Sequence, residues 1–224
     1  MMHQGSERVV LKMSTIKGCF VTGIGTEIGK TIVSAIVVEA LQASYWKPVQ
    51  AGELDNSDSM KIASLSSSYK KIHPEYARLK TPMSPHAAAK IDEVLLKVAE
   101  VHLPQDFPLV VEGAGGLLVP LNENETIADL IAHLGLPTLL VSRHYLGSIN
   151  HTLLSLELLH QRGLAVAGVI FVGEETPSTE QIISMHTSTP VLGRVPHCED
   201  LSTEFVTSQA RLLSKPLREV LQLS

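Results

Sequence analysis

Residues 21–31 read Val-Thr-Gly-Ile-Gly-Thr-Glu-Ile-Gly-Lys-Thr. The stretch closes on Gly29-Lys30-Thr31, as a phosphate-binding loop does, but five residues separate Gly23 from Gly29 and three separate Gly25 from Gly29. Neither interval matches the usual phosphate-loop spacing. Position decides the reading better than spacing. An apolar run at 18–22 precedes the glycines and a helical pattern at about 30–42 follows them. Between a strand and a helix, successive backbone N–H groups and the positive end of the helix dipole converge on an anion. In that reading Lys30 reaches the terminal phosphates and the Thr31 hydroxyl binds Mg²⁺.

Outward from the loop, short apolar runs alternate with helical patterns. Strands are expected at 44–49, 108–112, 136–141, 166–172 and 190–195. Helices are expected at about 86–101, 126–134, 150–162, 178–187 and 202–214, with a further one opened by Asn56-Ser57-Asp58. Alternation of this kind predicts an α/β fold: a doubly wound, mostly parallel sheet with helices on both faces, like that of P-loop nucleotide-binding proteins. Ligands of such sheets lie beyond the carboxyl ends of the strands. The chain has 224 residues with no linker or repeat to divide it, so residues 17–224 read as one domain preceded by a flexible extension at 1–16.

Composition narrows the classes. Eighteen basic against 23 acidic residues give a mildly negative chain, without the basic excess of a nucleic-acid surface. No run approaches the roughly 20 apolar residues of a membrane span. Two cysteines, Cys19 and Cys198, are too few for a disulfide framework and point to a reducing cytoplasm.

A metal bound by one hydroxyl needs further oxygens, and Mg²⁺ takes them from one or two carboxylates, phosphate and water. Glu112 ends an apolar strand and is followed by Gly113-Ala114-Gly115-Gly116, where small residues let backbone approach a phosphate. Asp58 is the second acid; from local pattern it is either a ligand or a helix cap. Lys47 stands late in a strand that Pro48 ends. Its charge either snorkels to solvent or faces an anion. His133, His144 and His151 lack metal-ligand spacing and read as exposed or internally satisfied residues.

Taken in order, Thr22-Gly-x-x-Thr26-Glu27-x-Gly29-Lys30-Thr31, Lys47-Pro48-Val49, Asn56-Ser57-Asp58, Ser84-Pro85-His86, Val111-Glu112-Gly113-Ala114-Gly115-Gly116 and Leu146-Gly147-Ser148-Ile149-Asn150-His151 resemble the motifs of the dethiobiotin synthetase family. The resemblance covers residues 18–200, and the lengthened loop is itself a mark of that family. It implies a homodimeric, ATP- and Mg²⁺-dependent ligase. CO₂ and 7,8-diaminononanoate would be joined and cyclised to dethiobiotin through a carbamate and a carbamic-phosphoric anhydride. Carried over by position, Glu27, Ile28, Gly29, Lys30 and Thr31 cradle the triphosphate, with Gly113, Ala114 and Gly115 beside them. Thr31, Asp58 and Glu112 hold Mg²⁺, and Thr26, Lys30 and Lys47 surround the reacting groups. Ser84 and Pro85 line the diamine, with Ala51 where the family often carries a hydroxyl. Leu146, Gly147, Ser148 and Asn150 belong to the stretch meeting the substrate carboxylate of a neighbouring subunit. Pro196, His197 and Cys198 take the place of a nucleotide-lining segment.

Two departures bear on the nucleotide. Val172-Gly173-Glu174-Glu175 stands where the family has Asn-Asp, whose amide reads the base. Pro196-His197-Cys198 replaces Pro-Trp-Leu. Weak selectivity among nucleoside triphosphates follows. Partitioning ATPases of similar fold carry a second lysine five positions before the loop lysine; Gly25 stands there.

Overall fold

A computed structural model describes residues 17–223; the extension expected at 1–16 lies outside them. Strand β1, Gly18–Gly23, is buried throughout, as a central parallel strand covered on both faces must be. Around it, β2 (Ser44–Trp46), β4 (Ile72–His73), β6 (Leu109–Gly116), β7 (Thr138–Arg143), β8 (Val166–Val172) and β9 (Val191–Val195) complete a seven-stranded sheet of order β4-β2-β6-β1-β7-β8-β9. All its pairings are parallel. Two short strands, β3 (Val49–Ala51) and β5 (Ala77–Leu79), pair separately.

Alternate residues feed two layers. Cys19, Val21, Val110, Leu139 and Ile170 pack with helices α1 (Lys30–Leu41) and α7 (Thr203–Val220). Phe20, Leu109 and Val111 face α3 (Pro85–Ile91) and α4 (Ile127–Leu134). Leu140, Val169 and Phe171 meet α5 (Ser148–Gln161) and α6 (Pro177–His186). The remaining helix, α2 (Asp58–Leu65), packs beside α1.

Several boundaries differ from the sequence reading, among them the strand expected to end at Glu112, which runs on to Gly116. The strand expected at 44–49 stops at Trp46, and the chain crosses at Lys47-Pro48 into the small sheet, because proline cannot donate to the ladder. The helix expected at 86–101 is only Pro85–Ile91 plus a short turn at Val98–Glu100. Asp92, its C-cap, turns its carboxylate onto the backbone of Lys80 and Thr81, and Glu93 follows at φ 55°. The last helix passes Pro216 instead of stopping at 214. Proline forgoes one backbone bond there, while Leu213, Leu217 and Leu221 bury a continuous stripe against α1.

Candidate functional site

The loop after β1 and the start of α1 form one wall of the site. Gly29 caps α1 at φ 89°, a left-handed conformation that glycine adopts without strain. Ile28 is buried in the core while Thr26 and Glu27 are exposed, so Ile28 can offer a ligand its backbone but not its side chain. The Lys30 ammonium donates to the Gly25 carbonyl at 2.8 Å, hooked back onto its own loop. Burial pushes its pKa down to about 8, assisted by Lys47 and opposed by Glu112 and Asp58.

Across the sheet, β6 runs on to Gly116, whose α-carbon packs against the loop: a Cβ there would stand 3.3 Å from the Gly23 carbonyl oxygen. Gly115, at φ 69°, lies beside Thr26. Gly113 faces the core instead, where a Cβ would come within 2.8 Å of Phe20, and its carbonyl accepts from Lys47 at 3.3 Å. Ala114 is half-buried between them.

Four polar side chains converge between these walls. The Thr31 hydroxyl lies 2.9 Å from Asp58 Oδ1 and 3.0 Å from Glu112 Oε1. Lys47 Nζ lies 2.6 Å from Asp58 Oδ2 and 3.1 Å from Glu112 Oε1. The structure bears on both alternatives that the sequence left open. Ser57, not Asp58, caps α2 by accepting from the Met60 N–H, which leaves the Asp58 carboxylate free to face the site. Lys47 is buried and paired with acids; it does not reach for solvent. Burial works to discharge Lys47, but Glu112 and then Asp58 outweigh it and hold its pKa above the ordinary lysine value. Burial likewise works to raise the Asp58 pKa; Lys47, the Thr31 hydrogen bond and Lys61 outweigh it and hold the carboxyl low.

Two contributors escaped the sequence reading. The wholly buried Tyr45 donates its phenol to Glu112 Oε2 at 2.9 Å. Burial, then the charges of Glu112 and Asp58, push its pKa well above the usual tyrosine value. The buried Gln50 accepts from the Asp58 N–H at 3.2 Å and donates to the Gly52 carbonyl at 3.0 Å, fixing the start of α2. The signal for both was present: a hydroxyl or amide in a buried strand demands a partner.

On the far side of the loop a cavity of about 850 Å³ begins at Glu27 and Gly29 and extends to Pro196, His197 and Cys198. The acid–lysine cluster does not line it, so the mostly apolar chamber and the charged cluster are separate places beside the loop. Leu146, Gly147 and Ser148 form part of its rim, while Asn150 turns into a second groove along α5. Arg143 lines the chamber and donates to the Glu27 carbonyl at 3.1 Å. Ala51 ends β3 and Ser84-Pro85 open α3, which packs on β3 and β5 on the opposite flank; Ser84 Oγ bonds His86 Nδ1 at 3.1 Å.

Each of the three histidines makes one internal hydrogen bond, His133 to the Val101 carbonyl, His144 through Nε2 to the Glu180 carboxylate and His151 to the Tyr145 hydroxyl, while the buried Nδ1 of His144 has no partner among the described residues. Among the described residues no three His, Cys, Asp or Glu side chains gather as a metal centre of their own. Two carboxylates and a hydroxyl, all hard oxygen donors, fit a Mg²⁺ ion that completes its shell with phosphate and water.

A glycine loop between β1 and α1 of a parallel sheet, with Lys-Thr at the helix start, defines a P-loop nucleotide-binding fold. The MinD cell division protein of Aquifex aeolicus, solved as the MinC:MinD complex, shares that fold, with a TM-score of 0.55 over 92% of this chain and 94% of that one at 11% identity. A family model described as an AAA domain matches residues 17–204. A Christiangramia forsetii protein named ATP-dependent dethiobiotin synthetase BioD is 52% identical over 91% of this chain and 99% of its own length. One of the same name from Brucella ovis is 49% identical over 82% and 88%. The chain belongs to the ATP-dependent dethiobiotin synthetase family.

Proposed function

We propose that this chain joins CO₂ to 7,8-diaminononanoate and closes the ring, consuming ATP and yielding dethiobiotin, ADP and phosphate. Family membership supports the overall reaction. The observation that carries the chemistry is the convergence of Thr31, Asp58, Glu112 and Lys47 on one space beside the loop.

In this reading one substrate amine takes up CO₂ as a carbamate. A carbamate oxygen attacks the γ-phosphorus, ADP departs, and a carbamic-phosphoric anhydride remains. The second amine attacks the anhydride carbonyl, loses its proton and expels phosphate as the ring closes. The backbone of residues 27–31 holds the triphosphate. Thr31, Asp58 and Glu112 would hold Mg²⁺, which supplies positive charge to the transferring phosphoryl group. Lys30 and Lys47 supply fixed positive charge to a crowded set of anions, so catalysis is positioning and electrostatics rather than covalent participation. The same cations disfavour a bound ammonium and so favour the neutral, nucleophilic amine.

The apolar chamber suits the nucleoside. The side nearer Ala51, Ser84 and Pro85 suits the diamine. Leu146, which is fully exposed beside the start of α5, supports a homodimer in which this segment meets the partner's substrate. Two unpaired cysteines suit the cytoplasm.

The test is phosphate release from Mg²⁺·ATP and bicarbonate, with and without the diamine. Diamine-dependent release accompanied by dethiobiotin is expected. Turnover indifferent to the diamine would overturn the proposal.

A further inference from the structure

Glu112 has two carboxylate oxygens, and the site uses them differently. Oε1 faces Thr31 and Lys47, at 3.0 and 3.1 Å. Oε2 is directed instead along the sheet face towards β2, where the Tyr45 hydroxyl meets it at 2.9 Å. The geometry follows from register. Tyr45 on β2 is paired with Val110 on β6, so Glu112, two residues further along β6, projects from the same face within reach of a long side chain. Both residues are almost wholly buried, so water cannot replace the phenol. A Glu carboxylate turns broadly about its last torsion when nothing restrains it. A donor fixed by strand pairing on one oxygen sets the plane, and hence the direction in which the other oxygen points.

We infer that Tyr45 is a positioning residue that aims Glu112 Oε1 at the metal, a role that rests on the reading of Glu112 as a Mg²⁺ ligand. Tyrosine suits the task because its ring fills the core while its one O–H is a directional donor. Phenylalanine would fill the same space and leave Oε2 buried without a partner, so that only Thr31 and Lys47, both on Oε1, would restrain the carboxylate. Groups hydrogen-bonded behind a metal ligand commonly contribute roughly 10- to 100-fold to metal affinity.

The test separates metal from fold by titrating ADP calorimetrically into the full chain, once with EDTA and once with Mg²⁺, for wild type, Y45F and E112Q. The ratio of the two affinities is the gain conferred by the metal. Y45F is expected to bind ADP in EDTA within about twofold of wild type, which also reports an intact fold, while its metal gain shrinks roughly tenfold. E112Q is expected to lose at least as much. If E112Q loses the gain and Y45F keeps it, Tyr45 does not position the ligand, although Glu112 still binds metal. Equal weakening of both Y45F affinities would make Tyr45 structural only, again overturning the inference. If E112Q keeps the full gain, the metal reading fails and the role of Tyr45 falls with it.

Discussion

Lys47 Nζ stands 2.6 Å from Asp58 Oδ2, with the lysine side chain only 6% exposed. Because it also reaches Glu112 Oε1, a tethered cation sits between the two acids proposed to hold Mg²⁺. A divalent ion entering there competes with Lys47 for those oxygens, and a displaced Lys47 is free to face the substrate's anions.

Lys47→Met therefore has effects of opposite sign. Turnover is expected to fall by about 10²-fold or more, as loss of a few kcal/mol of transition-state stabilisation requires. The ligand-free protein loses the partner of the buried Glu112 and the half-buried Asp58 and is expected to be destabilised by about 3 kcal/mol. Mg²⁺·ADP should then raise the Tm of the variant more than that of wild type. Steady-state rates and thermal unfolding with and without Mg²⁺·ADP check both; near-normal turnover removes Lys47 from its role.

Lys30 gives a pH signature. Its folded pKa is lowered to about 8 from an ordinary 10.5, with burial the largest cause. Between those values the unfolded chain binds more protons, so the Lys30 contribution to stability increases as pH rises through that window. A bound polyphosphate supplies the counter-charge that burial withholds and restores the ammonium. Nucleotide binding near pH 9 should take up close to one proton per site, measured calorimetrically in buffers of different ionisation enthalpy. Lys30→Met should abolish the uptake.

Gly113 separates packing from ligand contact. Alanine there would press on Phe20 in the core and is expected to cost about 1–3 kcal/mol of stability. ADP affinity should stay within about twofold, since residues 115–116, not 113, lie against the loop. A large loss of affinity at unchanged Tm would return Gly113 to the nucleotide site.

Base selectivity should be low. No Asn or Gln side chain is among the described residues lining the chamber, and a base is rejected strongly only where buried polar groups would be left unpaired. Apparent KM values for ATP, CTP and GTP are expected to lie within about tenfold of one another. A preference for ATP of roughly 10²-fold or more would contradict this and show that polar groups of the lining read the base.

The central strands, the loop and Glu112 were legible because each rests on a strong local signal: buried apolar runs, glycine between strand and helix, an acid closing an apolar run ahead of glycines. The small sheet was not. Strands of three residues, such as Val49–Ala51 and Ala77–Leu79, are too short to show a period. The continuation of α7 past Pro216 depends on burial of Leu217 and Leu221, a tertiary term that local rules do not contain. Asp58 could be freed from capping only once Ser57 was seen accepting the Met60 N–H. Tyr45 and Gln50 required knowing which strands are neighbours.

The most direct measurement is the position of the metal in crystals grown with Mn²⁺ and ADP, located by anomalous scattering. The account predicts one peak in the coordination shell of Thr31 Oγ1, Asp58 and Glu112, with the Lys47 ammonium moved away from the acids. A peak remote from those oxygens, with Lys47 still between Asp58 and Glu112, would contradict it.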